Sequence, residues 1–396
     1  MTLLFDRRDQ FAGAAMCHAF LVGVSNYSHL PGDNEPPKPA KFNLKKLASP
    51  ALSAWRLARW LIENGDSFAQ PLGSVRVLIS PSPREEPLLD PLPALPGIVA
   101  AQPDPADWAH FVPAALAWRA DAARHKEGMT FFYYAGHGLE RMGGTVLTLE
   151  DFTDPNAGGL LIRSFDLNAN FVAGMGPTDN RPDMALKQFY FIDSCREQIE
   201  DKTGLRATPG DVWDALSDED DRATPVFMAT FPGSVAQARA GQLTDFAEAL
   251  LKCFQTGAEI VDLADPQRRW PVSSFTLNNA LERHFKDLAT GQYTTPTGMS
   301  FKDITLRWLD QAPMVDFAVQ VHPDAAIDFT TVTLSRAGGG FQGQFSTRQN
   351  HPFRVSAPAG IFAMQADGGD RFARFEDTQT ITQRQPVWPI SMKAAP

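Results

Sequence analysis

Two short stretches hold the residues best suited to chemistry. They are Tyr133-Tyr134-Ala135-Gly136-His137-Gly138 and Phe191-Ile192-Asp193-Ser194-Cys195-Arg196, with Cys195 lying 58 residues after His137. Each is a β-forming run that ends in a polar turn. A thiol attacks as thiolate, and an imidazole within hydrogen-bond reach supplies the base that makes one. The glycines on both sides of His137 fit a tight turn, in which the Gly138 N–H would face the same space as the Cys195 N–H. Two such donors make an oxyanion hole. His137 as base and Cys195 as nucleophile thus predict acyl transfer. Singly, neither residue says much: the chain has eight histidines and three cysteines, and a lone buried His or Cys is usually a core residue.

Both turns must lie on one rim, and the flanking elements predict how. Strands are expected at 19–24, 74–79, 130–134, 188–192 and 225–229, with a short antiparallel extension at 146–149. Helices are expected from Ser49-Pro50, an N-cap with proline at the first helical position, to about Asn64, from Asp107 to about Arg124, and near 245–254 and 276–288. Strands alternating with helices imply right-handed crossovers and an α/β fold, a mainly parallel sheet with helices on both faces. In such sheets ligands and catalytic groups gather at the carboxyl ends of the strands. Residues 81–105 hold eight prolines and read as a loop, either a mobile flap or a docking segment. Beyond Ala312-Pro313 the pattern changes to short alternating runs separated by turn residues, Gly338-Gly339-Gly340 among them. The expected division is 1–312 for the α/β domain and 313–396 for a small C-terminal antiparallel β-domain, sandwich-like.

Composition narrows the partners. With 36 basic against 46 acidic side chains and a formal charge of −10, the chain has no electrostatic footprint for nucleic acid. No apolar run approaches the roughly 18 residues of a membrane span. Arg7-Arg8 ahead of the apolar stretch 11–24 imitates a leader, but Asp6 and Asp9 flank the pair and His18 interrupts the stretch. Cys17, Cys195 and Cys253 cannot form a disulfide framework, which favours a reducing, cytoplasmic setting. No phosphate loop or metal-ligand spacing occurs, so no cofactor is expected. The acidic run Ser217–Asp221 is a candidate calcium site, although it lacks the spacing of a calcium loop.

The two dyad stretches resemble the histidine and cysteine motifs of caspase-like cysteine peptidases, the class of caspases, metacaspases and paracaspases, and most closely those of paracaspases and their bacterial relatives. Phe20–Tyr27 and Ala229-Thr230 extend the likeness more loosely, over roughly 15–290. The resemblance implies a cysteine endopeptidase acting on protein substrates, with Gly138 and the Cys195 amide as oxyanion donors. It also implies a role for Asp193, two residues before the nucleophile, as the carboxylate that selects Arg or Lys. A buried carboxylate left unpaired is costly, which makes it a good selector for a cation. Alternatively, Asp193 orients its turn through backbone amides. Where paracaspases carry two further acids, this sequence offers Ser53 and Ala238. Lys202, Arg206 and Arg222 are candidate cut sites in a polar linker over 197–224. A cell-death or anti-phage role is implied by analogy. The β-domain or the proline-rich loop would receive an activating or regulatory protein. The competing readings are a catalytically silent scaffold of the same fold that acts by protein binding, and a Cys-His hydrolase or acyltransferase of small molecules.

Overall fold

The computed structural model describes residues 2–32, 34–37, 42–100, 102–141, 144–198, 208–213, 221–230, 241–287, 294–297, 302–348, 351–382 and 387–395. The chain divides into two compact units, Met1–Leu251 with Leu281–Leu306, and Lys252–Ala280 with Arg307–Pro396.

The first unit is built on β1 (Leu3–Asp6), β2 (Cys17–Val24), α1 (Pro50–Glu63), β3 (Leu72–Ser80), α2 (Trp108–Ala122), β4 (Met129–Gly136), β5 (Gly138–Arg141), β6 (Gly144–Thr148), β7 (Ser164–Asp166), β8 (Lys187–Ser194), β9 (Glu197–Gln198) and β10 (Val226–Met228). The strand pair β11 (Trp270–Ser273) and β13 (Thr305–Leu309) brackets β12 (Thr294–Thr297) in the chain. The main sheet has the order β1-β3-β2-β4-β8-β10-β12. Its five inner strands are parallel, as the strand–helix alternation predicts. The antiparallel edges β1 and β12 are additions with no helix of their own to announce them. The strand order reverses between β2 and β4, which opens a crevice at their carboxyl ends.

Period-two alternation sorts the strand residues between two faces. Phe20, Phe132, Tyr134, Tyr190 and Ile192 lie in the core beneath α2, with Phe111, Trp118, Phe165 and Phe171. The Phe20 ring lies 5.6 Å from Phe111 and 5.8 Å from Trp118. On the opposite face Phe131, Phe191 and Phe227 form a chain of ring contacts at 4.8 and 5.0 Å. Helix α1 packs on this second face, where Gly23 admits it: a Cβ on Gly23 would lie 2.6 Å from Pro50 O and 2.7 Å from Ala54 Cβ.

The N-terminus of α1 differs from its expected cap. The Ser49 side chain makes no cap hydrogen bond; instead Ser25 Oγ accepts the Ala51 N–H at 3.0 Å and Glu85 Oε1 accepts the Leu52 N–H at 3.0 Å. Glu85 belongs to the proline-rich segment, and its other oxygen accepts from Ser82 N and Oγ at 2.8 and 2.7 Å. Further along, Asp90 O accepts the Trp55 indole N–H at 2.8 Å, the Asp90 carboxylate binds Arg56, and Val99 N–H reaches Leu4 O at 2.9 Å. The segment is therefore fastened at several points and carries a capping acid.

The second unit contains β14 (Met314–His322), β15 (Thr331–Arg336), β16 (Gln342–Ser346), β17 (Phe353–Pro358), β18 (Gly360–Gly368), β19 (Phe372–Ile381) and β20 (Val387–Ser391). They form sheets ordered β17-β14-β20 and β16-β15-β18-β19 around a core that includes Phe317, Val332, Phe362, Met364 and Trp388. The wholly antiparallel expectation is corrected in one place, since β14 and β20 pair in parallel. Strand direction there depends on the side from which the chain re-enters, which no local pattern records. The patterning also left β19 and β20 unassigned, and residues 324–327 form a helical turn.

The close approach of α1 to Gly23 yields a test. Gly23→Ala should destabilise the protein by about 1–3 kcal/mol through overpacking, read from the midpoint of urea unfolding.

Candidate active site

Strands β4 and β8 pair in unbroken register from Met129↔Lys187 to Gly136↔Ser194. Past them, β5 and β9 pair with the same offset of 58, Leu139↔Glu197 and Glu140↔Gln198. His137 and Cys195 fall at matching positions between these two ladders. The interval is clamped on its far side by Arg196, whose Nε and a terminal nitrogen donate to Glu140 Oε2 at 3.0 and 2.9 Å. It is also held from just beyond β10, where Thr230 Oγ1 donates to Ser194 O at 2.9 Å.

The glycines beside His137 do not make the tight turn expected of them. The chain runs on from β4 to β5, and both glycines are needed for close approach. A Cβ on Gly138 would lie 2.4 Å from Cys195 O, and one on Gly136 would lie 2.6 Å from Tyr134 Oη and 2.7 Å from Tyr27 Oη.

His137 is 5% exposed. Its Nε2 lies 2.6 Å from Lys45 O. A carbonyl only accepts, so Nε2 carries the proton and Nδ1 is left with its lone pair, the tautomer a base requires. Desolvation lowers the pKa of His137 to about 4, although the Lys45 carbonyl raises it. The imidazole is accordingly neutral at physiological pH. Tyr27 completes the mounting: its hydroxyl accepts the His137 backbone N–H at 2.8 Å, and its ring centroid lies 4.9 Å from the imidazole. Tyr134 Oη donates to His137 O at 2.9 Å. Lys45 and Tyr27 went unnoticed in the sequence because their roles depend on β2 lying next to β4. The nearest available signal was the position of Tyr27, just beyond the end of β2.

Cys195 is partly exposed, whereas Cys17 and Cys253 are buried core residues, as expected. Burial pushes the Cys17 thiol far above the ordinary range. Of the three thiols, Cys195 alone has access to solvent.

Asp193 is 3% exposed. Its Oδ2 accepts from Tyr133 Oη at 2.7 Å and from Thr244 Oγ1. Among the described residues its Oδ1, which is buried, has no hydrogen-bond partner. Thr244 in turn contacts Ser53, with Oγ–Oγ1 3.2 Å apart and the Thr244 N–H donating to Ser53 Oγ at 3.0 Å. Ser53, the α1 position aligned with a missing acid, is thus one step from Asp193, and Ala238 lies outside the described residues. The carboxylate is held by two side-chain hydroxyls, one from β4 and one from the residue before the helix Asp245–Thr256, and among the described residues no backbone amide is a hydrogen-bond partner. Desolvation raises its pKa to about 6 against the lowering by the two hydroxyls.

Among the candidate cut sites, Arg222 is corrected: it is 2% exposed and its guanidinium donates to Val172 O and Gln188 Oε1 at 2.9 Å each, so no protease reaches it in this fold. Lys202 and Arg206 lie outside the described residues, as do residues 217–220 of the acidic run. Among the described residues no cluster of three or more metal-binding side chains occurs, and no helix is long and apolar enough to cross a membrane.

The segment that carries His137 and Cys195 has a counterpart among known families. Residues 110–269 match the caspase domain family. The match begins within α2, includes His137, Asp193 and Cys195, and covers less than half of the chain. At the level of that family it supports a cysteine peptidase. Two solved structures are similar to this chain. Caspase-1 from Spodoptera frugiperda shares 11% identity at a TM-score of 0.40, with 76% of this chain and 92% of the other covered. The structure of pro-sf-caspase-1 shares 12% identity at a TM-score of 0.35 over the same shares. None of the curated proteins matches the chain. The main sheet, mainly parallel and covered on both faces, bears out the expected α/β fold class.

The raised pKa of Asp193 makes its ionisation a cost to folding. A group whose pKa is higher in the folded than in the unfolded chain stabilises below its unfolded value, and that contribution is lost as pH rises through the folded value. Wild type should therefore lose stability relative to Asp193→Asn between about pH 4 and 7. Above pH 7 the variant should be more stable, by on the order of 1–3 kcal/mol, as read by thermal unfolding across that range.

Proposed function

We propose that this protein is a cysteine endopeptidase in which Cys195 is the nucleophile and His137 the general base, cleaving protein substrates after Lys or Arg through Asp193. The observation that supports the reading is the constant 58-residue offset across β4/β8 and β5/β9, with His137 and Cys195 at matching positions between the two ladders and the His137 Nε2 2.6 Å from the Lys45 carbonyl.

In this mechanism the Cys195 thiol gives its proton to Nδ1 of His137, and the thiolate sulfur forms a bond to the scissile carbonyl carbon. The oxyanion that develops takes hydrogen bonds from the N–H groups of Gly138 and Cys195. The imidazolium then protonates the departing amine as the C–N bond breaks, leaving an acyl-enzyme. Water, deprotonated by the neutral imidazole, displaces the thiolate and regenerates the dyad. A substrate cation would supply Asp193 Oδ1 with the partner that the fold withholds. A place in bacterial cell death or anti-phage defence follows from the family resemblance alone.

Peptides that differ only at the residue before the scissile bond should be cleaved after basic residues. Cys195→Ala should abolish that cleavage, and His137→Ala should lower kcat at least about 100-fold. Equal inertness of wild type and Cys195→Ala would favour a scaffold. The pH profile is a further check. With a basic substrate, kcat/KM should fall as pH drops through about 6, where Asp193 gains its proton, whereas His137 stays unprotonated until about 4. An acid limb near 4 with none near 6 would remove Asp193 from substrate binding.

A further inference from the structure

We infer that the specificity carboxylate is built for the point charge of lysine and discriminates against arginine, an inference that rests on the endopeptidase reading above. The two oxygens of Asp193 are not equivalent. Oδ2 accepts two hydroxyl donors, Tyr133 Oη and Thr244 Oγ1, which occupy both of its lone-pair directions. Oδ1, buried and without a hydrogen-bond partner, is the one acceptor left.

That asymmetry is held from several sides. Tyr133 comes from β4, on the strand face opposite to Tyr134, and is fully buried. Thr244 precedes the helix Asp245–Thr256, and its Oγ1 also accepts the Ala247 N–H at 3.2 Å. Its N–H is taken by Ser53 Oγ from α1. Neither hydroxyl can leave Oδ2 without giving up contacts elsewhere.

Arginine binds a carboxylate best side-on, with two parallel N–H···O bonds, one to each oxygen. Here the second oxygen is saturated, so a guanidinium can engage only end-on, through Oδ1. Two of its five N–H groups then share one acceptor, and three remain to be desolvated without carboxylate partners. A lysine ammonium is compact and directs one of three N–H groups at Oδ1, leaving fewer buried donors unpaired. One unpaired buried donor is worth roughly tenfold in binding.

The test uses matched peptides with Lys, Arg or Gln before the scissile bond, assayed on the full-length protein, with binding of the same peptides to Cys195→Ala as a readout independent of turnover. Lysine should exceed arginine by about tenfold in kcat/KM and in affinity, and glutamine should be the weakest. In Tyr133→Phe, which frees one lone pair of Oδ2, the Lys/Arg ratio should fall toward one. Thr244→Val should move it the same way and serves as a second variant if the first does not fold. Arginine equal to or better than lysine on wild type would overturn the inference while leaving a basic-specific peptidase in place. A ratio unmoved in every folded variant would overturn the role of Oδ2. No preference for either cation over glutamine in both cleavage and binding would instead overturn the Asp193 reading on which the inference rests.

Discussion

The parallel ladder between β4 and β8 is the constraint on which the candidate site depends. A strand has a side-chain period of two, so a slip of one residue would exchange the two faces of β8 and separate Cys195 from His137. Several contacts oppose that slip. The ring contacts Phe131–Phe191 and Phe132–Tyr190, at 4.8 and 6.1 Å, lock the pair on both faces. Beyond the strand ends the Glu140–Arg196 ion pair and the β5–β9 pairing hold the same offset, so the interval that contains His137 and Cys195 is bounded by paired backbone on both sides. Gly138 is the position where this closeness excludes a side chain, because the Cys195 carbonyl occupies the space a Cβ would need.

The same alternation gives adjacent tyrosines different tasks. Tyr134 faces the α2 side and reaches the carbonyls of His137 and Thr148. Tyr133 faces the α1 side and holds Asp193. One short strand thus anchors His137 through one residue and Asp193 through the next. The two anchors lie on opposite faces of the sheet and meet their targets at its carboxyl rim, beside the β2/β4 crevice.

The site is polar, buried and in part unsatisfied, and the surrounding core offsets that cost. A raised pKa on Asp193 and a lowered one on His137 both come chiefly from loss of water, and both disfavour the charged form. Such groups persist only where neighbours over-determine their positions. Here the aromatic layer under α2 and the hydroxyl network of Ser53, Thr244 and Tyr133 fulfil that condition. The proline-rich segment adds to it through Glu85, which supplies an acceptor at the start of α1 in place of the expected Ser49 cap.

The local sequence is enough to reveal the five parallel strands and the principal helices, and it nominates four candidate site residues, His137, Gly138, Asp193 and Cys195. The reason is physical: apolar runs of period two or 3.6 and strand-terminal polar turns are short-range features, written in consecutive residues. The edge strands β1 and β12, the parallel β14–β20 pair and the partners of the site were not legible. The Lys45 carbonyl, Tyr27, Thr244 and Ser53 lie 92, 110, 51 and 140 residues from the groups they serve, the first two serving His137 and the last two Asp193. Each role depends on a hydrogen bond closed only when distant segments pack. Residue types could therefore nominate a base, a thiol and a carboxylate. Tertiary structure alone decided which imidazole nitrogen keeps its proton and which carboxylate oxygen stays open, because both follow from the donors and acceptors that folding brings within about 3 Å.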